Sequence, residues 1–251
     1  MANPPSFETL PEDWQTALFV VAHPDDIEYG AASAVARWTG QGKRVVYCMV
    51  TSGEAGIDGM HPDECRPARE AEEIASAGVV GVDEVEFLRL PDGVLEYGVA
   101  LRSAIAQVVR QHRPDVAVTI NFRETFGGTN LNQADHIAVG RALLDAVRDA
   151  GNRWIFPEQL TDGLEPWGGV QAVWAFSSPE GRHGVDTTDT FDQGVESLAA
   201  HAAYIDGLGW ENWDPREFLE GFGRQAGQRL GVAFATTAEV YSLTWGGNDD
   251  D

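Results

Sequence analysis

One histidine and two aspartates stand together in the tetrapeptide His23-Pro24-Asp25-Asp26. Imidazole and carboxylate are good zinc ligands, and a catalytic zinc usually takes three protein ligands and keeps a fourth position open. His23 and Asp26 are close enough in sequence to reach one ion from a single turn. A third ligand must come from elsewhere, and His136, in Asn132-Gln133-Ala134-Asp135-His136, is the candidate. Each feature has a plainer alternative. A His-Pro-Asp-Asp tetrapeptide can simply begin a helix, with aspartate as N-cap and partner of the helix dipole. A single His136 can be a surface residue. Taken together, at the ends of two predicted strands, the segments favour a site. A similar tetrapeptide, His61-Pro62-Asp63-Glu64, follows no strand and sits among Gly56, Asp58 and Gly59, so it is not expected to hold the metal.

The elements that must position these residues are legible in the hydrophobic pattern. Residues 17–22 form a short continuous apolar run, as a parallel strand covered on both faces does. The run stops at His23. Helical spacing follows over 28–39, a second strand over 44–50, a helix over 66–79 and a third strand over 84–88. A helix over 99–112, with Val99, Leu101, Ile105, Val108 and Val109 on one face, leads to a fourth strand over 115–120. Residues 135–149 read as a helix, 170–175 as a fifth strand, and 192–206 and 214–229 as helices. Strands alternating with helices predict an α/β fold: a Rossmann-like, doubly wound, mostly parallel sheet in a three-layer α/β/α arrangement. Such sheets bind ligands outside the carboxyl ends of their strands, which is where the candidate residues fall. No repeat or linker divides residues 1–251, so one domain is expected, with its ends, 1–12 and 246–251, loose.

Composition excludes several functions. The formal net charge of −23 repels phosphate backbones and anionic membranes, so nucleic acid is not an expected partner. No apolar run is long enough to span a membrane. The segment Met1-Ala2-Asn3-Pro4-Pro5-Ser6 has no basic start and no apolar stretch, which predicts a cytoplasmic protein without a secretory signal. The only cysteines are Cys48, in an apolar strand, and Cys65, placed in or near a loop. Two such residues suit a reducing compartment and cannot build a thiolate zinc site.

The segment Ala22-His23-Pro24-Asp25-Asp26-Ile27-Glu28 resembles the signature of the LmbE-like, or PIG-L-like, deacetylases. Thr51-Ser52-Gly53-Glu54-Ala55-Gly56, Arg69 with Glu72, Pro91-Asp92-Gly93 and Asp135-His136 are also similar to theirs, in the same order across roughly 17–150. Beyond about 151 the likeness thins to Trp154-Ile155-Phe156-Pro157 and His183-Gly184-Val185-Asp186. The resemblance implies zinc-dependent removal of an acetyl or related acyl group from an amino sugar or a related N-acyl small molecule. It implies that His23, Asp26 and His136 hold Zn2+, that Asp25 is the general base, and that Asp135 orients the last ligand.

Amide hydrolysis is consistent with that assignment. Zinc lowers the pKa of water and polarises a carbonyl. Asp25 can take the water's proton and return it to the amine, a poor leaving group until protonated. One departure matters: many relatives have a histidine where this chain has Gln133. Either the Gln133 amide donates to the oxyanion, or another donor such as His183 replaces it. Arg69 could grip substrate hydroxyls with its planar fork, or pair with Glu72 or Glu73 on its own helix. Glu54 and Asp92, on loops after strands, are expected to face substrate. Trp154, Trp167 and Trp174 are assigned to the core. Gly127-Gly128 could form a pocket wall, and there is no fingerprint for a dinucleotide. The rival reading is a catalytically inactive metal- or sugar-binding protein of the same fold. A two-metal phosphoesterase would need more ligands than these. Substrate identity stays open, and so does assembly into a homo-oligomer.

Overall fold

The alternation of apolar residues along β2 (Thr16–Val21) sends Ala17, Phe19 and Val21 into one core and Leu18 and Val20 into another. Both faces of the sheet are therefore covered, as the continuous apolar run requires. The computed structural model describes residues 7–161, 163–210 and 212–243. In chain order its elements are β1 (Glu8–Thr9), β2, α1 (Ala32–Gly40), β3 (Arg44–Met49), α2 (Pro62–Val79), β4 (Glu84–Phe87), α3 (Val99–His112), β5 (Val116–Ile120) and α4 (Ala134–Ala150). There follow α5 (Glu158–Thr161), β6 (Ala172–Phe176), β7 (His183–Asp186), α6 (Phe191–Ala199), α7 (Ala202–Gly207), α8 (Pro215–Leu230) and β8 (Ala235–Ser242).

One sheet runs in the order β1-β7-β8-β6-β5-β2-β3-β4. All neighbours are parallel except β8, which is antiparallel to β6 and β7. The chain winds outward from β2 through β3 to β4, then returns to place β5 on the other side of β2. The order thus reverses between β2 and β5, and their carboxyl ends flank the crevice where such sheets bind ligands. One core packs Trp38, Phe19, Tyr47 and Trp174 beneath α1. The other packs Leu18, Val46, Ile105, Val109 and Leu143 beneath α3 and α4.

Several elements depart from expectation: the helix expected over 192–206 is broken at 200–201 into α6 and α7, and α5, β7 and β8 are additions. β8 reads as no strand because its residues are mostly half-buried and lack a continuous apolar run. The amino-terminal end is tied down from Phe7: β1 pairs with β7, and Leu10 is buried. Residues 1–6 and 246–251 lie outside the described residues. Helix α2 starts at Pro62 rather than at 66. His61 caps it, its Nδ1 accepting from Asp63 N–H, and Asp63 and Glu64 occupy the first turn. The decoy tetrapeptide is thus the helix start that its relative at 23–26 could have been. Cys65 is consequently a buried helical residue and not a loop residue. No helix among the described residues is long and apolar enough to cross a membrane.

Candidate active site

The turn after β2 and the start of α4 after β5 face each other across the crevice, and three side-chain atoms converge there. His23 Nδ1 lies 3.2 Å from His136 Nε2, Asp26 Oδ1 lies 3.0 Å from the same Nε2, and His23 Nδ1 and Asp26 Oδ1 are 3.7 Å apart. A tetrahedral zinc with bonds of about 2.0–2.1 Å sets its ligand atoms about 3.3 Å apart, so the spacing fits one ion. The remaining polar atoms of these side chains are already committed. Asp26 Oδ2 accepts His23 N–H at 2.9 Å. His23 Nε2 faces Asp92 Oδ1 at 3.1 Å and Asp135 Oδ2 at 3.5 Å, and His136 Nδ1 meets Asn132 Oδ1 at 2.8 Å. Such partners fix which nitrogen of each ring is left for a metal.

Electrostatics agrees with the geometry. Burial alone would lower the pKa of His23, but Asp26, Asp135 and Asp92 hold it well above the ordinary histidine range. Burial would raise Asp26, yet His136 and His23 hold its carboxyl far below the usual carboxylate range. Surroundings that favour a proton on His23 also favour a metal cation in its place. Among the described residues, two other clusters could hold an ion: His23 with Asp92 and Asp135, and Glu28 with Glu73 and His201. The first is the poorer choice, because Asp92 already accepts Ala55 N–H and Asp135 accepts Gly93 and Leu95 N–H. The second lies behind the turn, with all three residues buried and only Glu28 bordering the cavity.

Asp25 has a different setting from Asp26. Its backbone sits at φ 91°, the left-handed region, at a strain of about 1–2 kcal/mol for a residue with a Cβ. Asp25 N–H donates to Glu73 Oε2 at 3.1 Å. Arg69 donates from Nη2 to Pro24 O and lies 3.4 Å from Asp25 Oδ1. Asp25 Oδ2 is buried without a hydrogen-bond partner. Burial pushes the Asp25 carboxyl above its ordinary range, and Arg69 opposes that rise.

The other sequence candidates divide. Arg69 pairs with Asp25, and neither Glu72 nor Glu73 is its ion-pair partner. Its Nε and Nη1 have no partner, and it borders the cavity. Asp92 borders the cavity too, but its carboxylate is occupied by His23 and Ala55 N–H. Asp135 orients His23 and not its neighbour His136. Gln133 occupies the N-cap position of α4 without a side-chain capping hydrogen bond, is exposed and borders the cavity.

Several candidates are corrected. Glu54 is not among the residues lining the cavity: its carboxylate accepts Ser52 and Asp92 N–H and meets Arg66, which holds the two loops together. His183 opens β7, four strands from β2 and so about 19 Å away along the sheet. Its Nε2 meets Glu8 Oε2 at 3.5 Å, and it cannot serve an oxyanion at His23. Trp174 is in the core beneath α1, Trp167 packs half-buried against the core beneath α3 and α4, and Trp154 is 80% exposed. Sequence reasoning missed Asn132, although its place one helical turn before His136 was a usable signal. It also missed Glu73, His201 and Tyr204, which no motif marks.

The site opens into a cavity of ≈ 860 Å³. Tyr29 continues the site outward, with its ring 5.5 Å from Phe218 and 6.2 Å from Trp213, and Trp210 and Phe222 lie exposed further out.

The family model described as "PIG-L: GlcNAc-PI de-N-acetylase" matches residues 18–147. Diacetylchitobiose deacetylase of Thermococcus kodakarensis is 28% identical over 228 residues, 88% of this chain and 84% of that protein. The 1D-myo-inositol 2-acetamido-2-deoxy-alpha-D-glucopyranoside deacetylase of Kineococcus radiotolerans is 31% identical over 197 residues, 65% of this chain and 52% of its own length. The solved structure of N,N'-diacetylchitobiose deacetylase from Pyrococcus horikoshii, bound to an inhibitor, has the same fold. It matches with a TM-score of 0.83 at 22% identity, over 92% of this chain and 85% of that one.

Proposed function

Because this chain belongs to the PIG-L family, we propose that it is a zinc-dependent hydrolase that removes the acetyl group from the nitrogen of an amino sugar. The observation that carries the reading is the convergence of His23 Nδ1, Asp26 Oδ1 and His136 Nε2 beside an Asp25 carboxylate that does not join them. Those three atoms would hold a zinc ion, which when bound would supply Lewis acidity for attack by water on an amide carbonyl. Asp25 Oδ2, which has no partner, takes the proton of the attacking water and passes it to the departing amine. Arg69 steadies the anionic form of that base through Oδ1.

The oxyanion needs a donor placed before the charge develops. Gln133 borders the cavity and no hydrogen bond among the described residues engages its side-chain amide, so we assign it that role. The acetamido sugar enters from the cavity, where Tyr29 offers an aromatic face to a sugar ring. Two relatives support this substrate class, since by name both act on acetamido sugars. The net charge of −23 suits a neutral or cationic substrate over a phosphorylated one. Both cysteines are free, which suits a cytoplasmic setting.

Gln133 in place of the usual histidine favours the rival reading of an inactive binding protein. Against it stands Asp25, an unpartnered carboxylate oxygen on a strained backbone, an arrangement that binding alone would not require. Acetate release from a panel of N-acetylated sugars, with zinc and with a chelator, separates the two. The reading predicts chelator-sensitive release. Tight sugar binding without acetate from any member would favour the binding protein.

A further inference from the structure

Helix α2 presents Arg69 and Glu73 one turn apart, so both reach the turn after β2 from one helix face. Glu73 takes the Asp25 N–H, and Arg69 takes Pro24 O and Asp25 Oδ1. Together they grip the backbone and side chain of Asp25 at the point where its φ is positive. Neither grip is secured by α2 alone. His201, between α6 and α7, is fully buried, with Nε2 3.7 Å from both Glu28 Oε2 and Glu73 Oε2. Neither ring nitrogen of His201 has a hydrogen-bond partner, and its imidazole fills the space between the two carboxyl groups. Two residues into α7, the Tyr204 ring lies over the Arg69 guanidinium, 3.7 Å from Cζ to the ring centroid. Ser197 Oγ, on α6, meets Ser76 Oγ on α2 at 2.7 Å. This clamp, from 197 to 204, comes wholly from outside residues 18–147 that the family model matches.

We propose that Glu73 and His201 are positioning residues for Asp25, so that the link between α6 and α7 completes the geometry of the catalytic base. The proposal rests on the deacetylase reading for its kinetic consequence but not for its structural one. Glu73 Oε2 fixes the Asp25 amide, and His201 keeps Glu73 from relaxing toward Glu28. Without either, Asp25 can leave the left-handed region and carry Oδ2 off the line of attack. A displacement of about 1 Å at a reacting group costs about 10²-fold in rate.

The test uses the full chain as wild type, His201→Ala, Glu73→Ala and Glu73→Gln. Amide exchange at Asp25, acetate release from N,N'-diacetylchitobiose and zinc per chain are measured. In both alanine variants, exchange at Asp25 should speed up and kcat should fall about 10²-fold, with KM and zinc unchanged. Glu73→Gln, whose amide oxygen accepts the same N–H, should restore slow exchange and most of kcat. Should the alanine variants not fold, His201→Asn, which fills most of the space, carries the same measurements. Slow exchange and unchanged kcat in the His201 and Glu73 variants would overturn the proposal. A second zinc in wild type, lost in both alanine variants, would also overturn it by making the cluster a metal site. If wild type releases no acetate while exchange follows the expected order, the deacetylase reading fails and the positioning stands.

Discussion

Asp25 combines two properties that substitution can separate: a left-handed backbone and a buried carboxylate. Asp25→Asn keeps the size of the side chain and tolerates positive φ as aspartate does, but cannot accept a proton. Its kcat should fall by about 10²–10⁴, the usual contribution of a general base, while about one zinc per chain remains. Losing the charge leaves Arg69 buried opposite a neutral group at 3.4 Å. Arg69 keeps Pro24 O and the face of Tyr204, so the expected destabilisation is about 1–3 kcal/mol. Asp25→Ala and Asp25→Gly then isolate the backbone. Alanine at φ 91° retains about 1–2 kcal/mol of left-handed strain. Glycine escapes it but loses about 0.5–1 kcal/mol more chain entropy on folding. The glycine variant should be the more stable by about 0.5–1 kcal/mol, or about 1–4 °C in Tm for a chain of this size. Steady-state acetate release, elemental analysis and calorimetry read the three quantities. Wild-type turnover in Asp25→Asn would refute the base assignment. Loss of zinc in that variant would mean Asp25 and Asp26 had exchanged roles. An alanine variant more stable than the glycine one would refute the strain.

The metal should be present at about one zinc per chain and be lost in His23→Ala and in His136→Ala, but not in His61→Ala, by elemental analysis; full zinc in both site variants would remove the proposed centre. Gln133→Ala should lower kcat by about 10²–10³ with zinc retained, and a near-normal kcat would transfer the oxyanion to another donor. Asp92→Ala and Asn132→Ala should each weaken zinc by about 10–100-fold, since each removes the partner that orients a ring; titration against a competing chelator measures this, and unchanged affinity would show those contacts to be incidental.

Local chemistry was legible from residue order alone. The apolar run of β2 marked a strand covered on both faces, and His23 and Asp26 followed it within one turn. A strand end, a turn and a ligand pair are short-range features, and a period in the sequence reports them directly. The same holds for His136 at the head of α4, because the alternation of strand and helix puts the carboxyl ends of β2 and β5 on the same side of the sheet. Similar local chemistry at His61-Pro62-Asp63-Glu64 only begins a helix, since no strand end presents it to the crevice. What tertiary structure alone decided lies at long separations. Asp135 orients His23, 112 positions away, rather than its neighbour His136, because loop 92–95 draws its carboxylate across the crevice. His183 looked equal to Gln133 in sequence and proved to be four strands from β2, since β8 inserts antiparallel between β6 and β7. Glu73, His201 and Tyr204 carry no motif. Their significance arises from two helices packing against the turn at 23–26, where Asp25 has its positive φ.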